Sequence, residues 1–375
     1  MAKKQLFYSI RYILNHVPDA QYYVVFGERS NGKTYSCLDY GLEDYCKNGN
    51  QMAIIRRYKE DMKGKNGAVM FSALVKNGLV EKYTKGKWNG IYYYSQRWYL
   101  MYINPDNPNE KKIDENPFAY GFALTDMEHD KSTSYPNIKT ILFDEFITRS
   151  VYLPDEFVTF TNVLSTIIRE RDDVKIFMCG NTVNQYCPYF KEMGLSNVRK
   201  MDKGTIDVYT YGESRLKVAV EYSDFPQKKK KSDVYFAFNN PKLKMITSGE
   251  WEIALYPRLT YEMKYAPKNV YYHYFIQFEE DLLMCDIVRK GDMIFTFIHR
   301  KTTKIKDTDT SIVYNPEISP KPNYRRKITT PMTQTDKRIL WFFKNEKVFY
   351  QSNEIGEIVR NYFLWCKTAN MENNI

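Results

Sequence analysis

The sequence predicts an α/β protein: a P-loop-type nucleotide-binding domain on a mainly parallel sheet, followed by a smaller, β-rich α+β domain. Three observations lead there. A strand, a glycine loop and a helix succeed one another within residues 21–45. Further apolar runs end in polar or charged residues, as buried parallel strands do at their carboxyl ends. Beyond about residue 200 the texture changes to alternating aromatic and polar stretches. At 375 residues the chain also exceeds what one hydrophobic core usually organises.

The elements follow in order. Gln21–Phe26 is a short β-branched and aromatic run that stops at glycine, and Lys33 to about Tyr45 reads as the helix after the loop. Met52–Arg57 is a second buried strand, basic at its end; together these form a βαβ unit. Lys59 to Lys87 is rich in Lys and Gly. Asn89-Gly90 then reads as a hairpin turn in an inserted β-ribbon, with Ile91–Ile103 as its aromatic arm. Asn104–Pro117 reads as a surface loop and Phe118–Leu124 as a further strand. Ile138–Asp144 is a buried strand running into a second carboxylate, Glu145. Asp155–Arg171 carries apolar residues at helical spacing, and Val174–Gly180 is another hydrophobic strand, capped by Asn181. Ile206–Tyr211 and Leu216–Tyr222 read as paired strands before the charge run at Lys228–Lys231. Val270–Phe278 and Met293–Ile298 are strands, while Lys337–Phe343 and Glu354–Cys366 are helical. The expected organisation is residues 1–197 for the nucleotide-binding domain, 198–233 for a linker and 234–375 for the second domain.

Composition narrows the function. No apolar run approaches the roughly 20 residues that cross a bilayer, and no signal-peptide pattern opens the chain, so a soluble, intracellular protein without a membrane partner is expected. Six scattered cysteines without a Cys-x-x-Cys pair disfavour a zinc site or disulfide framework. The net charge of +10 favours a polyanionic partner.

The chemistry concentrates in Gly27-Glu28-Arg29-Ser30-Asn31-Gly32-Lys33-Thr34, which fits G-x-x-x-x-G-K-[ST]. Backbone N–H groups of such a loop wrap the phosphates, its lysine reaches the β/γ oxygens, and its hydroxyl binds Mg²⁺. Asp144 would help hold the metal with Thr34, and Glu145 would polarise an attacking water, a need of a hydrolase rather than a small-molecule kinase. No Asn-Lys-x-Asp motif points to a GTPase. Arg169 and Arg171 suit either an arginine finger reaching a neighbouring subunit or a surface salt-bridge cluster. Asn181 suits either a γ-phosphate contact or a turn. Lys59, Lys63 and Lys65 could grip DNA phosphates or simply solvate a loop.

The glycine loop with its internal Arg29, Arg56-Arg57-Tyr58-Lys59, Ser134-Tyr135-Pro136-Asn137 and Phe143-Asp144-Glu145-Phe146-Ile147 together resemble the DNA-packaging (encapsidation) ATPases of small short-tailed phages with protein-primed linear genomes, the Picovirinae type. The likeness runs from about Leu6 to Pro188. It implies an ASCE-type ATPase using ATP and Mg²⁺ and a homo-oligomeric ring on the capsid portal, joined there through protein or a packaging RNA. It also implies ATP-driven translocation of double-stranded DNA, in the host cytoplasm and transiently at the portal vertex. By position it sets the finger on Arg169 and puts Arg29 on the family's basic residue inside the phosphate loop, which suits either sensing the γ-phosphate in cis or simple loop solvation. It implies a vestigial RNase H-like second domain. Glu279, Glu280, Asp281, Asp286 and Asp292 are its available carboxylates, without an evident two-metal spacing. The alternatives are a P-loop helicase or translocase with another role, a terminase-like protein with an active nuclease, and a DNA-binding scaffold with a relict pocket.

Overall fold

The computed structural model describes residues 7–129, 134–212, 214–224 and 250–372. The lysine run at 228–231 lies outside the described residues. The chain forms two compact units. The first comprises residues 1–149 and 155–251, the second residues 150–154 and 252–375.

The first unit is built on nine strands: β1 (Tyr22–Gly27), β2 (Gln51–Arg56), β3 (Gly90–Tyr94), β4 (Arg97–Ile103), β5 (Lys111–Ala123), β6 (Ile138–Asp144), β7 (Lys175–Asn181), β8 (Ile206–Tyr211) and β9 (Leu216–Ser223). Their order is β3-β4-β5-β2-β6-β7-β1-β9-β8. The six strands from β5 to β9 pair in parallel, with antiparallel β3-β4 and β8 at the flanks. Both faces of the parallel strands are buried, which explains their unbroken apolar runs. On one face Val25, Ile54, Leu142 and Phe177 pack with Leu38 and Leu42 of the helix Lys33–Asn48. On the other, Phe143 stacks on Phe160 of the helix Glu156–Ile168, with ring centroids 4.9 Å apart.

One buried ion pair fixes that second helix. Arg57, just past β2, donates through Nε and Nη2 to the Glu156 carboxylate at 2.8 Å each, and through Nη2 to the Phe146 carbonyl at 2.9 Å. Tyr189 Oη donates to the same carboxylate at 2.9 Å. Removing one partner leaves a charge with no water to solvate it.

Several expectations change. The hairpin turns at Ser95 and Gln96, both with positive φ, rather than at Asn89-Gly90. The Asn89 side chain instead bridges to Ile103, accepting from its N at 2.8 Å and donating to its carbonyl at 2.7 Å. The expected loop at 104–117 becomes strand from Lys111. Within the expected linker at 198–233, the stretch that holds β8 and β9 closes the first sheet instead, because β9 supplies the parallel ladder on the free side of β1, and residues 225–233 lie outside the described residues. The compact boundary accordingly falls at Trp251, not at 234.

The second unit holds β10 (Val270–Phe278), β11 (Asp281–Lys290), β12 (Met293–Arg300), β13 (Val313–Tyr314), β14 (Tyr324–Arg325) and β15 (Val348–Tyr350) in the order β14-β13-β10-β11-β12-β15. The first three pair antiparallel, and β13 joins β10 in parallel with β14 beyond it, the arrangement of an RNase H-like sheet. Helices Gln334–Lys344 and Asn353–Glu372 accompany it, the first opened by a Thr333/Asp336 capping box. Of its carboxylates, Asp281 pairs with Arg300, and Asp286 accepts from Tyr265 Oη at 2.7 Å and lies 3.3 Å from His299 Nε2. Among the described residues no three His, Cys, Asp or Glu side chains group to hold a metal, and no helix is long and apolar enough to cross a membrane.

Glu156→Ala should destabilise the protein by about 3–5 kcal/mol, the cost of stranding a buried charge. Replacing both partners, as Arg57→Met with Glu156→Leu, should recover much of it. Denaturant titration of the three chains checks this, and an unchanged midpoint in Glu156→Ala would contradict it.

Candidate functional site

Because β2, β6, β7, β1 and β9 are parallel neighbours, their carboxyl ends share one edge. The end residues Arg56, Asp144, Asn181, Gly27 and Ser223 lie along it on strands about 4.8 Å apart, with Asn181, Gly27 and Ser223 level and Asp144 level with Cys179. Open α/β sheets collect ligands at this edge.

The glycine loop rises there from β1. Gly27 has no room for a side chain, since a Cβ would come within 2.7 Å of the Ser223 carbonyl oxygen. Gly32 takes φ of +100° immediately before the helix, a conformation that favours glycine. Asn31 donates through Nδ2 to Ser223 Oγ at 3.3 Å, and that hydroxyl donates to the Phe26 carbonyl at 3.0 Å. The loop is thereby tied to β9. Arg29 and Ser30 are exposed at its crest, and Glu28 turns its carbonyl inward.

Lys33 is 5% exposed. Its Nζ donates to the Glu28 carbonyl at 2.7 Å, Asn31 Oδ1 at 3.2 Å and Asn181 Oδ1 at 3.4 Å. Three oxygens thus surround the ammonium as a phosphate's would. Burial pushes its pKa down to about 8, against the pull of Asp144 and other nearby groups. Thr34 Oγ1 donates to Asp144 Oδ1 at 2.7 Å, and burial raises the Asp144 carboxyl above the ordinary range despite Arg56 and Thr34. A hydroxyl and a carboxylate in contact offer hard oxygen ligands suited to Mg²⁺, which takes only one or two protein oxygens beside phosphate and water.

Glu145 follows β6 with φ of +61°, and its N–H donates to the Cys179 carbonyl at 2.8 Å. This left-handed turn leads its carboxylate off the sheet edge, where the side chain is 63% exposed. Arg56 spans the two acids, with Nη2 2.7 Å from Asp144 Oδ2 and Nη1 2.9 Å from Glu145 Oε2. Sequence reasoning assigned Arg56 no role. Its signal was a buried strand turning basic at its end, but the partner became visible only once β2 and β6 proved to be neighbours.

Elsewhere the expected residues separate. Arg171 is a staple: its guanidinium donates to the carbonyls of Tyr135, Pro136, Ile138, Ile167 and Ile168 at 2.8–3.2 Å. Arg169 ends the Glu156–Ile168 helix with φ of +54° and is exposed. Lys59 pairs with Asp126, Lys63 lies 3.6 Å from Glu60, and Lys65 is exposed on the short helix Gly64–Val69. Lys59 and Lys65 sit on short helical turns, and Lys63 is the extended residue between them.

A second buried acid, Glu221 on β9, accepts from Tyr8 Oη at 2.6 Å, and Tyr8 N donates to the Asn31 carbonyl at 2.9 Å. Burial raises the Glu221 pKa to about 7.

The family model for the podovirus DNA encapsidation protein (Gp16) matches residues 110–237, a span that includes β6, Glu145, Arg169 and Asn181. The chain resembles the phage encapsidation proteins. DNA packaging proteins of Bacillus phages PZA and phi29 are each 28% identical over 190 residues, 50% of this chain and 50% of theirs. The chain thus spans about half the length of the curated relatives it matches. Two solved structures share the fold across nearly the whole chain. The bacteriophage Phi-29 viral genome packaging motor assembly has a TM-score of 0.54 at 18% identity, covering 97% of this chain and 100% of that one. The Phi-28 gp11 DNA packaging motor has 0.52 at 18%, covering 96% and 97%.

Glu221 gives a pH test. Its folded pKa of about 7 exceeds the ordinary 4.5, so the stability tied to its neutral form is complete below about pH 4.5 and lost as pH rises through about 7. Glu221→Gln still accepts the Tyr8 hydroxyl but cannot ionise. Its unfolding midpoint should gain steadily on the wild type between pH 4.5 and 8, and parallel profiles would contradict the assignment.

Proposed function

We propose that the chain is the ATP-hydrolysing subunit of a homo-oligomeric ring that drives double-stranded DNA into a preformed phage capsid. It would work in the host cytoplasm, at the capsid portal vertex. The observation that carries this is the convergence of Lys33, Thr34, Asp144, Glu145 and Asn181 at one sheet edge. The similarity to DNA packaging proteins and motor assemblies supplies the cargo.

The residues divide the work. The loop from Gly27 to Thr34, Arg29 at its crest included, wraps the triphosphate with its N–H groups. Lys33 exchanges its carbonyl and amide partners for β- and γ-oxygens. Thr34 and Asp144 hold Mg²⁺, which supplies charge neutralisation on the phosphates. Asn181, already on the Lys33 ammonium, faces the γ end. Glu145 orients the attacking water once Arg56 lets go of its carboxylate. Arg56 therefore opposes hydrolysis as long as it bridges the two acids. Arg169, exposed at a helix end, is the finger that stabilises transition-state charge in a neighbouring subunit. Arg171 stays in place as a staple. Lys63 and Lys65 contact DNA phosphates, and Lys59 joins them when it leaves Asp126. Phosphate contacts carry no sequence information, as a motor passing every sequence requires. A packaging RNA or the portal itself joins the ring to the capsid.

The deciding experiment is ATP hydrolysis by the purified chain with double-stranded DNA, with and without empty capsids. Stimulation by both supports the motor, and turnover indifferent to DNA rejects it. Glu145→Gln should bind ATP as tightly as wild type and lose at least 100-fold in turnover, on the scale expected for a lost general base, whereas Lys33→Ala should fail to bind. Equal turnover in the Gln variant removes Glu145 from the mechanism.

Uniform rings of Arg169→Ala or of Glu145→Gln should both be inactive, whereas rings mixing the two should recover part of the activity, because a site with Glu145 from the first variant and Arg169 from the second is complete. Full activity in a uniform Arg169→Ala ring would exclude the finger.

A further inference from the structure

Residues 7–10, ahead of β1, run beside the glycine loop and are tied at three points, to the loop, to β9 and to the helix that follows the loop. Tyr8 N donates to the Asn31 carbonyl at 2.9 Å, Tyr8 Oη to Glu221 on β9 at 2.6 Å, and Ile10 N to Ser36 Oγ at 2.8 Å. Tyr8 and Ile10 are buried, yet the preceding Phe7 is 43% exposed. Its Cβ, Cδ1 and Cγ lie 3.2, 3.6 and 3.7 Å from where a Cβ on Gly32 would stand, so the side chain rests against the loop's last glycine.

The strand order says which part of a nucleotide arrives there. Asp144, Glu145 and Asn181 occupy the β6 and β7 side of β1. With the γ-phosphate directed to them, the nucleoside end must leave on the opposite side, that of β9, where Tyr8 anchors the segment carrying Phe7. An aromatic ring held beside the loop by buried neighbours is a prepared stacking surface, because its place is fixed before ligand arrives.

We infer that Phe7 is the nucleobase platform of this site, the base of the bound nucleotide stacking on its ring. The inference rests on the nucleotide-site reading above. A phenyl ring carries no hydrogen-bond donor or acceptor, so this contact separates a nucleotide from bare phosphate and does not separate adenine from guanine. Phe7 is a binding residue that leaves the hydrolytic groups untouched.

The test compares MgATP, MgGTP and magnesium tripolyphosphate binding to the full-length wild type, Phe7→Ala and Phe7→Trp by calorimetry. Phe7→Ala should weaken both nucleotides about tenfold, within the range of a lost base–aromatic stack, and leave tripolyphosphate unchanged. Phe7→Trp should restore nucleotide affinity and show fluorescence quenched by ATP but not by tripolyphosphate. Equal ATP affinity in Phe7→Ala and wild type overturns the platform, as does an equal loss for tripolyphosphate, which would make Phe7 a support of the loop. A wild type that binds neither ATP nor tripolyphosphate overturns the nucleotide-site reading itself, and the platform with it.

Discussion

The parallel register of β6, β7 and β1 is the constraint on which the rest depends. Inserting β7 between the strand that ends in Asp144 and the strand that ends at Gly27 brings Asn181 level with Gly27, and Cys179 level with Asp144. Backbone hydrogen bonding alone therefore sets the order of groups along the edge, and side chains need only project from it. A one-residue slip in any of these ladders would turn core residues to the wrong face, so burial of both faces holds the register. The energy that fixes the site is thus spread over the sheet instead of being stored in the loop.

The price of that placement appears in three groups held away from water. A lysine, an aspartate and a glutamate are buried close to one another near the loop, and each is shifted towards its neutral form by burial. Their partners answer with geometry: carbonyl and amide oxygens for Lys33, a hydroxyl and a guanidinium for Asp144, a phenol for Glu221. A triphosphate with its metal would satisfy Lys33 and Asp144 better than the protein's own groups do. The preorganised state is accordingly poised for an anion, while Arg56 pairs with both acids.

Much of this was legible in the sequence, for a physical reason. Buried parallel strands are continuous apolar runs, and a helix opening on Gly-Lys-Thr announces itself locally, so β1, β2, β6, β7 and the loop were found with little error. In the second unit β10 was bounded as observed, from Val270 to Phe278. What escaped depends on neighbours far apart in the chain. Arg56 and Asp144 are 88 residues apart by number, and only the strand order makes them partners. Asn89-Gly90 looked like a turn because local composition cannot say that the Asn89 amide pairs with Ile103 instead. The strands β8 and β9 were recognised but set in a linker, since nothing in their alternation says which sheet they join. The resemblance already favours Arg169 over Arg171, but the stapling role of Arg171 required seeing five carbonyls around one guanidinium.

The place of β9 has a consequence for dividing the molecule. A fragment cut after residue 197 would expose the backbone of β1 along its whole length, leaving a sticky hydrophobic edge where a neighbour belongs. It would also free Asn31 from Ser223 and leave Tyr8 without its acid. The amino-terminal half is inseparable at that point, and any autonomous fragment has to carry the chain through Ser223.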